Sequence, residues 1–139
     1  MHYLKDGDTI QKKQHSLLNR ASEASNVLKK HIENNNVIRI ISHNDADGIS
    51  AAAVLANALK EENVQFHTTI VPRLKEDLIN QLRHEKHDLV IFSDMGSSFV
   101  GELNSFKCDV IIADHHQVSD VEAESNVVHI NPHLFDIDG

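Results

Sequence analysis

Residues 37–50, VIRIISHNDADGIS, decide the fold. The first half is an apolar run, Val37, Ile38, Ile40 and Ile41. The second places His43, Asp45 and Asp47 at alternate positions before Gly48 and an alanine-rich segment. A short β-branched run bounded by polar turn residues reads as a buried strand of an α/β sheet. If the strand pleat runs on, the three polar side chains point the same way at the strand's carboxyl end. That is where open parallel sheets keep their sites. Two carboxylates and an imidazole this close repel or titrate anomalously unless a cation joins them. The stretch is expected to be the first half of a metal site.

Outward from it, the chain alternates strands and helices. Residues 9–34 carry Leu17, Ala21, Ala24, Leu28 and Ile32 at helical spacing, and the asparagines at 34–36 end that helix. A strand at 37–42 and a helix at 48–62 follow, then a strand at 65–71 broken by Pro72. Leu74, Leu78, Ile79 and Leu82 mark a short amphipathic helix. Strands are expected again at 88–94 and 109–116, separated by a short helix near 98–106, and a last one at 127–130. This alternation predicts βαβ units: an α/β fold with a mostly parallel sheet of about five strands, flanked by helices, behind an N-terminal helix.

The informative pattern is repetition. IRIISHNDAD, LVIFSD and VIIADHH are three apolar runs that each pass straight into carboxylates or imidazoles. One strand ending in Asp is an ordinary helix cap. Three such ends bring Asp45, Asp47, Asp94, Asp114, His43, His115 and His116 within reach of one pocket, because neighbouring strands lie ~5 Å apart. Carboxylate and imidazole without thiolate favour Mn²⁺, Mg²⁺, Fe²⁺ or Zn²⁺ in an open site over structural zinc. Gly-rich phosphate-binding fingerprints are absent.

The bulk properties agree with a globular domain: 139 residues, 40% hydrophobic and 24% charged. Residues 1–139 read as one domain, with 1–36 as its N-terminal helical segment. No apolar stretch approaches spanning length, and the N-terminus lacks the apolar segment of a signal peptide. With one cysteine, Cys108, a reducing compartment and a cytoplasmic location are expected, and that thiol sits in an apolar run as core. The net charge of −8 argues against a broad nucleic-acid-binding face. It is uneven: residues 1–40 hold seven Lys/Arg and four Asp/Glu, residues 41–139 six and seventeen. The acidic part is thus the part with the candidate ligands. His2, His15, His31, His67, His84 and His87 stand in polar contexts and are expected on the surface.

HNDADG, FSD and ADHH, in this order, resemble the first three motifs of the DHH phosphoesterase superfamily, whose Asp-His-His is Asp114-His115-His116 here. The family includes RecJ exonucleases, oligoribonucleotide hydrolases and manganese pyrophosphatases. Only Asn44 separates His43 from Asp45, unlike the pyrophosphatase spacing, while DADGISAAA and NPHLFDIDG are most similar to archaeal RecJ-like proteins, the GINS-associated nuclease among them. The resemblance implies a site of two Mn²⁺ or Mg²⁺ ions: His43 and Asp45 on one, Asp47 and His115 on the other, Asp94 bridging both. It makes His116 and Asp114 the catalytic pair, His116 facing the scissile phosphate as the substrate-binding group and Asp114 orienting a neighbouring histidine.

The implied activity is hydrolysis of single-stranded DNA or RNA from an end. Two alternatives stand beside it. One is a non-catalytic scaffold module joining GINS and the replicative helicase; the other is a phosphodiesterase of short oligonucleotides or cyclic dinucleotides. Members of the family carry a further Asp ligand and a second, substrate-gripping domain beyond the segment that NPHLFDIDG resembles. Asp136 and Asp138 match the stretch before that ligand, so an N-terminal fragment of a longer protein or a truncated paralogue is expected, lacking the second ion's last protein ligand and most of the nucleic-acid grip.

Overall fold

A computed structural model describes residues 3–138, with side chains from residue 7 onward. His2, expected on the surface, lies outside the described residues. The helix α1 spans Tyr3–Glu33, starting earlier than the apolar stripe indicated. It is followed by β1 (Ile38–His43), α2 (Ala46–Glu61), β2 (Phe66–Val71), α3 (Glu76–His84) and β3 (Leu89–Ser93). A 3₁₀ turn at Ser97–Phe99 leads into the short α4 (Val100–Asn104), then β4 (Asp109–Ala113) and β5 (Val127–Ile130).

All five strands are parallel, in the order β2-β1-β3-β4-β5. The order reverses at β1, so the crevice between the carboxyl ends of β1 and β3 is the topological switch point of a doubly wound sheet. Both faces are covered, which is why β1 and β3 read as near-continuous apolar runs. Ile38, Ile40, Leu89, Ile91 and Ile111 pack under Ala24 and Leu28 of α1 and Leu55 and Leu59 of α2. Ile41, Val90, Phe92, Val110 and Ile112 pack under Ile79 and Leu82 of α3 and Val100 and Leu103 of α4.

Register places the strand tips side by side. Ser42 pairs with Ser93, and Ser93 with Ala113. The residues one step beyond, His43, Asp94 and Asp114, therefore stand level on three adjacent strands.

Three expectations change. The strand pleat does not continue through Asp47, because β1 stops at His43 and Asp45 already caps α2. β4 stops at Ala113, leaving the DHH triplet outside the strand. His31 is buried, not on the surface, because α1 docks its last turn on the start of β4. There Asp109 Oδ2 lies 2.7 Å from its Nε2 and Asn36 Nδ2 lies 2.8 Å from its Nδ1, so both ring nitrogens are satisfied without water. His15, His67 and His84 are exposed and His87 is partly buried. Cys108 packs against the core, and burial pushes its thiol pKa up. Among the described residues, no helix is long and apolar enough to cross a membrane.

Candidate metal centre

The turn from β1 into α2 is tight enough to dictate its residues. A Cβ on Gly48 would lie 2.2 Å from the His43 carbonyl oxygen, so only glycine allows the helix to start there. Ser42 Oγ ties the turn down, reaching the Gly48 carbonyl at 2.7 Å and the Ser93 carbonyl of β3 at 3.0 Å. Asp45 divides its carboxylate between two tasks. Oδ1 accepts from the Gly48 N–H at 2.8 Å as the N-cap of α2, and Oδ2 lies 2.8 Å from His43 Nδ1. The Gly48 N–H is the main reason the Asp45 carboxyl is held below its usual range.

Asp94 follows β3 in left-handed backbone, φ 58°. For a non-glycine residue this conformation is costly and collects at functional sites. Its side chain is almost fully buried, and its two oxygens face histidines from the end of β1 and from the turn after β4. Oδ1 lies 2.9 Å from His115 Nε2, and Oδ2 lies 3.5 Å from His43 Nδ1. Burial first, and then the neighbouring Asp45 carboxylate, push the Asp94 pKa up.

His43 Nε2 lies 3.0 Å from the Pro72 carbonyl oxygen. A carbonyl only accepts, so Nε2 donates to it, and Nδ1 is the ring atom turned toward Asp45 and Asp94. Nδ1 and Asp94 Oδ2 are both buried without a hydrogen-bond partner. Orphaned lone pairs converging from an imidazole and carboxylates are unfavourable as they stand and favourable around a cation.

Two groups of ligand atoms, each within 4.8 Å of one another, form here: His43, Asp45 and Asp94, and Asp94, His115 and His116. Asp94 belongs to both. The oxygen and imidazole donors fit Mn²⁺, Mg²⁺ or another divalent ion of this hardness.

Asp47 and Asp114 stand outside those two groups. Asp47 is exposed on the first turn of α2 and lines a hollow of about 390 Å³ with Asp94, Asp114 and His115. A second hollow of about 390 Å³, on the other side of Asp94 and Asp114, is lined by His43, Pro72, Leu74, Phe99 and His116. Asp114 is buried beneath the DHH turn. Its Oδ1 accepts from the backbone N–H of His115 at 2.8 Å and from His116 Nδ1 at 2.6 Å, and its Oδ2 from the Ser97 N–H at 3.1 Å. Burial alone would raise its pKa, but these donors, His116 foremost, hold it low, and in return the His116 pKa is raised.

Sequence reading did not single out Ser97, His129 or Asn131, which are all buried behind Asp114. Asn131 had a visible signal, an Asn before Pro132, and it does cap the 3₁₀ turn Pro132–Phe135 through the His133 N–H. Ser97 had none.

A parallel doubly wound sheet with carboxylates and imidazoles at the switch point defines an α/β domain with a candidate metal centre. The chain belongs to the DHH family, matching the family's N-terminal domain over residues 37–136. It is 35% identical over 128 residues to the uncharacterized protein MJ0831 of Methanocaldococcus jannaschii, covering 88% of this chain and 30% of that protein. It is 30% identical over 104 residues to the single-stranded-DNA-specific exonuclease RecJ of Bacillus subtilis, covering 68% and 13%. The chain thus spans less than a third of either relative. Among solved structures, RecJ of Thermus thermophilus in complex with Mn²⁺ superposes at TM-score 0.65 with 26% identity, covering 77% of this chain and 16% of that one. CDC45 of Entamoeba histolytica shares the fold at TM-score 0.65 and 18% identity, covering 79% and 23%.

Proposed function

We propose that the chain is the metal-holding part of a RecJ-type phosphodiesterase that hydrolyses single-stranded DNA or RNA from an end, with two Mn²⁺ or Mg²⁺ ions. The observation that carries this reading is Asp94, one buried carboxylate whose two oxygens face two separate donor groups. The similarity to single-strand-specific exonucleases supports the substrate class. His43 and Asp45 would hold one ion and His115 the other, with Asp47 near it on α2 and Asp94 available to both.

When bound, such ions would supply Lewis-acid stabilisation of the phosphate and activate a water. The rest is done by side chains. Pro72 holds the His43 ring so that Nδ1 faces Asp45 and Asp94. Asp114 accepts the His116 Nδ1 proton and turns Nε2 toward the scissile phosphate, where an imidazole with a raised pKa supports negative charge. With Asp94 shared, the second donor group adds only imidazoles, so the chain is expected to bind Mn²⁺ weakly; two tight sites in a calorimetric titration would overturn that.

DADGISAAA and NPHLFDIDG favour the archaeal, GINS-associated branch of the family. The deciding experiment is Mn²⁺-dependent hydrolysis of a single-stranded oligonucleotide by the full-length protein, compared with Asp94→Ala. Cleavage lost in the variant supports the reading. Equal background in both favours the replication-scaffold alternative, which the CDC45-like fold accommodates. Preference for the shortest oligonucleotides or cyclic dinucleotides would instead favour the second alternative.

A further inference from the structure

We propose that Ser97, His129 and Asn131 form a buried positioning network that sets the aim of the Asp114–His116 pair from behind, an inference that rests on the phosphodiesterase reading. These three residues come from the turn after β3, from β5 and from the turn after β5, and each is at most 3% exposed. Polar side chains are taken out of water at a cost unless each donor and acceptor is paired.

Here the pairing is dense. The Ser97 N–H donates to Asp114 Oδ2 at 3.1 Å. Ser97 Oγ receives a hydrogen bond from Asn131 Nδ2 at 2.9 Å and lies 2.8 Å from His129 Nε2. An amide nitrogen can only donate, so it occupies one lone pair of Oγ; burial favours a neutral His129, and in the tautomer with Nε2 bare the hydroxyl proton goes to it. Asn131 Nδ2 also donates to the His116 carbonyl oxygen at 2.8 Å, and Asn131 Oδ1 accepts from the His133 N–H at 2.9 Å. The DHH turn is thus gripped at two points: at the Asp114 carboxylate through Ser97, and at the His116 backbone through Asn131.

His129 is the member that makes this a device for aiming rather than mere fold closure. Aliphatic residues flank it in β5, and an aliphatic side chain at 129 would fill the same space. Only an acceptor there gives the Ser97 hydroxyl a destination and fixes the rotamer from which Oγ receives Asn131. The network is anchored outside the site as well. Arg20 of α1 donates to the His129 carbonyl oxygen at 3.1 Å, its guanidinium 5.6 Å from the Phe135 ring centroid. A carboxylate so held turns His116 without touching the reacting phosphate. Removing supporting groups of this kind costs about 10- to 100-fold.

The test compares Ser97→Ala, His129→Leu and His129→Gln with the unaltered full-length protein. Ile111→Val serves as a core variant that perturbs packing alone. Two readouts are taken: kcat and KM on a single-stranded oligonucleotide at saturating Mn²⁺, and the imidazole ¹⁵N–¹H resonances of His116 in metal-free protein. Ser97→Ala and His129→Leu should lower kcat about 10- to 100-fold with KM unchanged, and should shift the His116 Nδ1–H signal. His129→Gln, which restores an acceptor, should recover most of both, and Ile111→Val should move neither. A His116 signal indifferent to Ser97→Ala and His129→Leu overturns the network whether or not the protein cleaves. A shifted signal in a protein that never cleaves leaves the network standing and removes the phosphodiesterase reading instead. Equal kcat losses in His129→Leu, His129→Gln and Ile111→Val would mark the cluster as packing only and also overturn it.

Discussion

At the amino end of the sheet, Arg39 lies buried in β1 with its Nε 3.2 Å from Glu85 Oε2, and His87 completes the cluster on the same carboxylate. Nearby, Asp109 at the start of β4 meets Lys30 at 2.8 Å and His31 at 2.7 Å. At the carboxyl end, Asp45, Asp94 and Asp114 have only histidines as ion-pair partners among the described residues, and no Lys or Arg pairs with them. Both ends bury polar groups in the same small domain, but one end brings its own positive charge and the other does not. A cavity of about 450 Å³ lies at the amino end, lined in part by Glu85, His87 and Cys108, yet no group of ligand atoms converges there among the described residues. The difference in counter-charge, more than cavity size, separates a structural polar cluster from a place built for a cation.

The largest effect expected from breaking this contrast is at Asp94. Asparagine tolerates the left-handed backbone, so Asp94→Asn removes the charge and leaves the fold. Hydrolysis should fall by about a thousandfold or more, several kcal/mol of stabilisation at the transition state. The metal-free variant should melt at or above the unaltered protein, because a buried carboxylate facing Asp45 is gone, while the Mn²⁺-induced rise in melting temperature disappears. A lower metal-free melting temperature would show that the carboxyl end is self-sufficient, like the amino end.

Next comes the amino end itself. Arg39→Leu leaves Glu85 half-buried beside an imidazole, and losing one member of a buried pair costs about 3 kcal/mol. Denaturant unfolding at neutral pH measures this. The Mn²⁺ titration midpoint should not move, since no step of the metal site runs through Arg39. A shifted midpoint would mean the two ends are coupled and the contrast drawn too sharply.

How much of this was legible in the sequence divides along the same line. Residues 89–92 and 110–113 announce strands because a sheet covered on both faces demands unbroken apolar runs, whatever the partners. His43, Asp94 and Asp114 were legible as strand-terminal residues for the same reason. Their grouping came only through the family resemblance, because the residues alone do not reveal register or which strands are neighbours. Asp47 alternates with His43 in sequence, yet α2 begins one residue after Asp45, and a helical turn places Asp47 over the hollow beside His115 rather than beside His43. His31 and His129 look alike in a sequence, one in polar company and one in apolar company, and both are buried. What decides their burial is a partner distant in sequence: Asp109, 78 residues on from His31, and Ser97, 32 residues before His129. Residue identity carries propensity, but satisfaction of a buried donor is a tertiary fact.

A smaller effect, on acid stability, sharpens the contrast from the amino side. Burial works against ionised Glu85, but His87, Gln81 and Arg39 overcome it and lower its pKa to about 2 from an ordinary 4.5. Because the folded value lies below the unfolded one, this carboxylate adds stability that is fully present above about pH 4.5. That stability drains away as the pH falls through about 2. Glu85 is part-exposed, so solvent screening limits the contribution to about 1–2 kcal/mol. In metal-free protein, Glu85→Gln should be less stable than the unaltered chain by that amount at pH 7, and the gap should narrow steadily between pH 4.5 and pH 2 in denaturant titrations. A gap that stays constant down to acid pH would mean the loss reflects shape rather than charge. The Arg39–Glu85 cluster would then cease to be the charge-balanced counterpart of the metal centre.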